Sequence, residues 1–326
     1  MKTKILVYAL PALIVIAIHL AEAQQPKKVP RIGVLSAGSP SSATHQHAAF
    51  RQGLRDLGYI EGQNIIVEYR FAEGKIDRFP ELATEMVGLK VNVIVAGGTR
   101  LTSAAKQATN TIPIVVGSAG DLIGEVVVDS LARPGGNVTG STNISPDLSG
   151  KRLELLTEAL SGASRVVVLW EPSPGSLNEV RETEAAARAL GVKLQPQQIR
   201  SANDFDSAYS AMTRERADAV IIIQGSLTLF HRKQLLELAV KNRLASMCEG
   251  LAWANDGCLI NYGPDIPYQW RRAAIFVDKI LKGTKPTDLP VEQPMKFELI
   301  INLKTAKQLG LTIPQSVLYR ADRVLK

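Results

Sequence analysis

The residues of this 326-residue chain best placed to do chemistry are polar side chains that follow apolar, β-rich runs. Gly97, Gly98, Thr99 and Arg100 come after the run 91–96 and open a helical stretch. At such a junction unpaired N–H groups, a hydroxyl and a guanidinium can together hold a carboxylate; the alternative is a tight turn with a solvent-facing arginine. Ser36 and Ser39 occupy the equivalent place after the first run, 31–36. Asp121 follows the run that ends at Gly117, where it either accepts a hydrogen bond from a ligand ammonium or caps a short helix. Glu171, Gln224, Glu249 and Asn261 end later runs, where a polar group costs little if solvated and much if buried unpaired. Tyr262 and Asp265 precede a long helix and serve as hinge or ligand residues.

Other chemistries find less support. His45 and His47 form an H-x-H, but residues two apart on a helix point to nearly opposite faces, and no His or Cys cluster completes a metal shell. There is no G-x-S-x-G, H-E-x-x-H, G-x-x-x-x-G-K-[ST] or G-x-G-x-x-G. The expectation is a chain with no catalytic residues, no metal and no cofactor.

The elements that must position these residues alternate. Strands are expected at 31–36, 65–71, 91–96 and 114–117, separated by helices at 48–57, 79–89 and 101–109. The segment 133–145 (RPGGNVTGSTNIS) breaks the pattern and reads as a crossover. Alternation then restarts, with strands at 165–170, 193–199, 219–224, 245–248 and 259–262 and helices at 148–160, 177–190, 205–214 and 229–242. Near-continuous apolar strands between helices belong to parallel sheets covered on both faces. The expected fold class is α/β, with two doubly wound parallel-sheet lobes. One lobe takes 30–143 plus about 264–293, the other 146–262 plus about 294–326, after a signal segment 1–23. Ligands of such sheets bind beyond the carboxyl ends of the strands, so the two sets of strand ends would face each other across a cleft.

Four motifs in order carry a resemblance: 58–64 (GYIEGQN), 131–140 (LARPGGNVTG), 149–156 (SGKRLELL) and 297–314 (FELIINLKTAKQLGLTIP). Over about 30–320 the chain resembles the ABC-transporter substrate-binding protein family that includes tryptophan/tyrosine-type permease components. The resemblance implies a type I periplasmic binding-protein fold with three hinge strands and a ligand between the lobes. Three places depart from the family pattern: Leu122 where Gly-Asp is usually followed by Pro, Thr99-Arg100 where many members have Thr-Pro, and Glu171-Pro172 in place of Asn-Pro. All three fall at the expected cleft, so the resemblance does not name the solute.

The N-terminus says where the chain works. Lys2 and Lys4 precede an apolar run, 5–20, that ends in Ala21-Glu22-Ala23, a small-x-small triplet of the kind signal peptidase cuts. The run is short for a bilayer span and is interrupted by Pro11 and His19, which favours cleavage over a retained anchor and a mature chain starting at Gln24 in the periplasm. The net charge is +7, and loss of Lys2, Lys4 and Glu22 leaves +6, scattered among acids with no aromatic-interleaved stripe, so no nucleic-acid partner is expected. Cys248 and Cys258 either pair in that oxidising compartment or remain buried thiols. The function expected is capture of a small solute, an amino acid or organic carboxylate, by a monomer whose lobes close and dock on an inner-membrane ABC permease. A sensing subunit for a membrane receptor or kinase needs the same closure and is the alternative.

Overall fold

The structure, a computed structural model, describes residues 29–41 and 44–326. The expected signal segment lies outside the described residues. The first five strands are β1 (Arg31–Ser36), β2 (Ile66–Phe71), β3 (Val93–Gly97), β4 (Ile114–Ser118) and β5 (Val138–Ser141). Next come β6 (Arg165–Trp170), β7 (Lys193–Gln198), β8 (Ala219–Ile222), β9 (Ala245–Cys248) and β10 (Ile260–Pro264). The last three are β11 (Val291–Glu292), β12 (Phe297–Asn302) and β13 (Arg323–Leu325). They form two sheets, ordered β11-β5-β4-β3-β1-β2 and β13-β12-β10-β9-β8-β6-β7. All pairings are parallel except β10 with β12. These are the two parallel-sheet α/β lobes.

The helices are α1 (Thr44–Asp56), α2 (Phe79–Gly88), α3 (Thr99–Ala108), α4 (Ser145–Ala159), α5 (Pro174–Leu190) and α6 (Phe205–Arg214). They continue as α7 (Ser226–Phe230), α8 (Arg232–Lys241), α9 (Leu251–Asn255), α10 (Ile266–Leu281), α11 (Leu303–Leu309) and α12 (Gln315–Arg320). They cover both faces of each sheet, and strand alternation feeds two apolar layers per lobe. Val93 and Val95 enter one layer with Phe50 and Trp270, while Ile94 and Ala96 enter the other with Leu82 and Met86. In the second lobe Val166 and Val168 point to Leu153 and Leu156, and Val167 and Leu169 to Phe205 and Trp253. Each such side chain, fully buried, contributes about 1.5–3 kcal/mol. That is why these strands read as unbroken apolar runs.

The chain passes between the sheets after β5, after β10 and after β11. Helix α10 returns to pack on α1, so closely that a Cβ at Gly53 would lie 2.4 Å from the Arg271 carbonyl oxygen. The crossings are tied together: Gln269 donates to the Thr142 carbonyl at 2.9 Å, and the Thr142 N–H to the Glu292 carbonyl at 3.0 Å.

Local expectations fail where tertiary contacts override composition. Residues 138–141, inside the segment read as a break, form the fully buried β5 between β4 and β11. Gly140, at φ 129°, is needed because a Cβ there would lie 2.3 Å from the Val116 carbonyl oxygen. The single helix expected at 229–242 is two, α7 and α8, divided at His231. Cys248 and Cys258 form a disulfide with Cα atoms 6.4 Å apart, across the loop that carries α9.

Candidate functional site

Between the lobes lies a cavity of about 120 Å³, lined by the carboxyl ends of strands from both sheets. On the first lobe the strand ends present small neutral groups, and the charged Arg100, Asp121 and Glu125 beside them are bonded to the opposite lobe. Ser36 ends β1, Gly97 and Gly98 end β3, and Ser118, Ala119 and Gly120 continue β4. Glycine at 97 and 117 lets the Trp270 indole of α10 come up beneath the backbone, since a Cβ would lie 2.6 Å and 2.8 Å from its ring atoms. Trp270 is braced by His47, 5.3 Å away at 62°, and by Phe50 edge-on at 81°. His47 is buried while His45 is exposed, and burial, helped by Arg51, pushes the His47 imidazole down to about 4.

Helix α3 opens directly on the cavity. Gly98 takes φ 92°, a conformation cheap only for glycine, and donates to the Ser118 carbonyl at 2.8 Å, while its own carbonyl accepts from Thr102. The N–H groups of Thr99, Arg100 and Leu101 belong to the first turn, which has no intrahelical acceptors for them. Arg100 reaches across the cleft and donates to the Pro172 carbonyl.

The second lobe's wall is charged. Glu171 follows β6, is 4% exposed, and accepts from the Leu227 N–H at 3.1 Å, capping α7. Burial pushes its carboxyl above the ordinary range; Arg100 and the N–H groups of Leu227 and Ser226 pull it back. Gln224 accepts from the Trp253 indole at 3.0 Å. Below them lies a group of which sequence reasoning named Glu249 and missed Arg152 and Glu179. Arg152 of α4 donates to Glu249 at 2.7 Å and to Glu179 of α5 at 3.4 Å, with all three side chains buried. Glu249 also accepts from Asn143 at 2.9 Å and Ser145 at 3.1 Å. Burial pushes Glu179 up to about 8 against the pull of Arg152, and Glu249 and Asp121 add to the rise.

Of the residues singled out by sequence, Ser36, Thr99, Arg100, Asp121, Glu171 and Gln224 line the one cavity. Asp121 is engaged within the protein: one oxygen accepts from the Gly124 N–H at 2.8 Å and the other from Asn178 of the opposite lobe at 3.0 Å. Ser39, Glu249, Asn261 and Asp265 are outside the lining. The Ser39 hydroxyl lies 3.0 Å from that of Ser41, beyond the turn that follows β1. Glu249 sits behind the wall and anchors Arg152. Strand β10 runs on to Pro264, so Asn261 is inside it, fully buried, and donates to the Cys258 carbonyl. Asp265 caps α10 through the Tyr268 N–H at 3.0 Å. The missed residues did leave a signal. Glu179 falls on the buried stripe of Ser176, Val180, Thr183 and Ala187, and Arg152 among Leu148, Leu153, Leu155 and Leu156, charges where the pattern asks for apolar groups.

The lobes meet at the mouth of the cavity. Besides the Arg100–Pro172 and Asp121–Asn178 bonds, the Gly175 N–H donates to Glu125 at 3.0 Å, and Phe230 packs where a Cβ at Gly74 would come within 2.3 Å. Two doubly wound lobes, three crossings and an interlobe cavity closed by such contacts define a type I periplasmic binding protein. The chain belongs to the ABC transporter substrate binding protein family, whose profile matches residues 31–325. It is 25% identical over 287 residues to a tyrosine-binding protein of Clostridioides difficile (strain R20291), covering 87% of this chain and 82% of that one. It resembles the structure of a conserved domain protein from Vibrio cholerae (27% identity, TM-score 0.85, 91% of this chain and 100% of the other). A Streptococcus pneumoniae ABC domain in complex with L-Trp is as similar in fold (25% identity, TM-score 0.85, 91% and 99% coverage).

Proposed function

We propose that this protein is the solute-capturing component of an ABC importer, exported to the periplasm with cleavage after Ala23, and that it delivers a small carboxylate-bearing solute to its permease. The observation that carries the reading is the cavity walled by strand ends of both lobes and spanned by interlobe hydrogen bonds, because a solute held there stabilises the closed form that a permease can recognise. The first turn of α3, with the Thr99 hydroxyl, offers preorganised donors to a carboxylate that has left water. The tyrosine-binding relative and the L-Trp complex favour an aromatic amino acid, which the Trp270 and Phe230 rings at the cavity wall would suit. The Cys248–Cys258 disulfide suits an oxidising compartment.

A thermal-shift screen of the mature protein against amino acids and organic acids tests the reading, since a ligand bound only by the native state raises stability as RT ln(1 + [L]/Kd). A shift with tyrosine or tryptophan, together with lost uptake of that solute in cells lacking the gene, supports it. Normal uptake in those cells rules the delivery role out. Mass spectrometry of periplasmic material should find an N-terminus at Gln24.

A further inference from the structure

Two acceptor atoms in the cleft receive no donor from the described residues. Asn143 gives its Nδ2 to Oε1 of Glu249 at 2.9 Å. A carboxylate oxygen there must accept, so the amide is held in that orientation and its Oδ1 is turned away, buried and without a partner among the described residues. Glu179, 5% exposed, touches Arg152 with Oε2 alone, at a long 3.4 Å, while Arg152 commits its shorter bond, 2.7 Å, to Glu249. The other oxygen, Oε1, points toward the first lobe, 3.9 Å from where a Cβ at Gly120 would stand. Asn143, Gly120 and Glu179 line the same cavity. Two carboxylates share one guanidinium, so a second cation is needed before both can be ionised together.

We propose that Glu179 Oε1 and Asn143 Oδ1 together receive an ammonium group of the solute, so that the site selects amines over the otherwise identical carboxylic acids. The proposal rests on the solute-binding reading and names its substrate class. An ammonium carries three donors and the missing positive charge. A hydroxyl or a water would satisfy one acceptor and bring no charge to favour ionised Glu179. Asp121, the acid that sequence reasoning put forward for this task, has both oxygens engaged by Gly124 and Asn178.

Proton release follows. The charged groups facing Glu179 are Arg152 on α4, Glu249 beyond β9 and Asp121 of the opposite lobe, and burial among them pushes its carboxyl up to about 8. At neutral pH, with Arg152 shared with Glu249 and no second cation present, Glu179 holds a proton. When the ammonium arrives, the O–H bond breaks, the electron pair stays on the carboxylate and the proton goes to solvent, while the ligand keeps all of its own.

Calorimetric titration of the mature protein at neutral pH with the L-amino acids and with their deaminated counterparts, such as 3-(indol-3-yl)propionate and 3-(4-hydroxyphenyl)propionate, tests this. An amino acid should bind about 100-fold more tightly than its deaminated acid, and Glu179→Gln should weaken the amino acid about 10- to 100-fold while leaving the acid unchanged, the usual effect of removing one partner from a charged group. Titration in phosphate and in Tris should show about one proton released by the native protein and none by Glu179→Gln, a readout that a purely structural role would not move. If Glu179→Gln does not fold, the native protein's proton release and its amine-to-acid ratio decide the matter. Equal affinity for acid and amino acid, unchanged affinity in Glu179→Gln, or binding of carboxylates or sugars alone overturns the ammonium assignment and leaves solute binding standing. Silence across amino acids, acids and sugars removes both.

Discussion

The two lobes are wound alike, yet their strand ends present different chemistry to the cleft between them, while Arg100, Asp121 and Glu125 of the first lobe reach the cavity wall but are bonded to the second. In the first, strand ends carry Ser36, Gly97, Gly98, Thr99 and Gly120, neutral groups that expose backbone N–H dipoles above the Trp270 indole. In the second they lead to Glu171 and Glu179, carboxylates buried against helix starts and a single guanidinium. Topology brings both sets of strand ends to the same place, and side chains decide what each set offers. On the proposed reading, donors of the first lobe would face the carboxylate of a zwitterion and acceptors of the second its ammonium.

The contrast is broken most severely at Arg152. Arg152→Met should cost about 3–5 kcal/mol in urea unfolding, because Glu179 and Glu249 are left buried without their cation. Adding Glu179→Gln and Glu249→Gln to it should restore much of that loss. A single variant as stable as the native protein would show that the second lobe's charges are better solvated than their burial implies.

Each lobe also buries a helix residue whose proton affinity burial displaces, His47 in the first and Glu179 in the second, with opposite signs. The His47 value in the fold, about 4, lies below the ordinary 6.5, so the unfolded chain binds the extra proton across that window. Stability should therefore fall as pH drops from about 6.5 to about 4, by an amount on the order of 3 kcal/mol that His47→Leu removes. Glu179 acts the other way: its folded value, about 8, lies above the ordinary 4.5, so its contribution is full below about 4.5 and fades as pH climbs to about 8. Denaturation curves of the native protein, His47→Leu and Glu179→Gln across that range separate the two. Matching slopes in the native protein and in either variant would contradict the corresponding assignment.

Smaller effects sharpen the comparison at the cleft. Thr99→Ala and Arg100→Ala should each weaken solute binding by about 1–3 kcal/mol in calorimetry with folding intact by circular dichroism. Arg100→Ala should in addition ease opening, because its guanidinium holds the Pro172 carbonyl of the other lobe. Unchanged affinity in both would move the carboxylate end away from α3. The least effect is expected from Asn178→Ala, which frees one Asp121 oxygen and should shift closure by about 1 kcal/mol, read by solution scattering as a larger radius of gyration at subsaturating solute.

The alternation of apolar runs and helices was legible along the chain because strands such as β3 and β6 are buried on both faces and show no polar interruption. The short β5 was not legible. Its four residues hold together only because β4 and β11 flank them, and β11 arrives from 150 positions away, the separation of the Thr139 hydroxyl from the Leu289 carbonyl it meets. The same division runs through the site. Residues just past a strand, Thr99, Arg100, Glu171 and Gln224, could be placed at the cleft from position alone, since parallel strands end on one side of a sheet.

What sequence could not supply was which strand-end residues the protein itself would use. Asp121, Asp265 and Asn261 spend their oxygens or amides on a turn, a helix cap and a buried carbonyl, partners that exist only once the chain is folded. Conversely Arg152, Glu179 and Glu249, separated along the chain by 27 and 97 positions from the arginine, become one charged group only when α4, α5 and the end of β9 pack together. Periodicity reports which face of an element is buried, a local property of spacing and hydropathy. The pairing of charges across elements depends on distances of a few ångströms that only the packed lobes set.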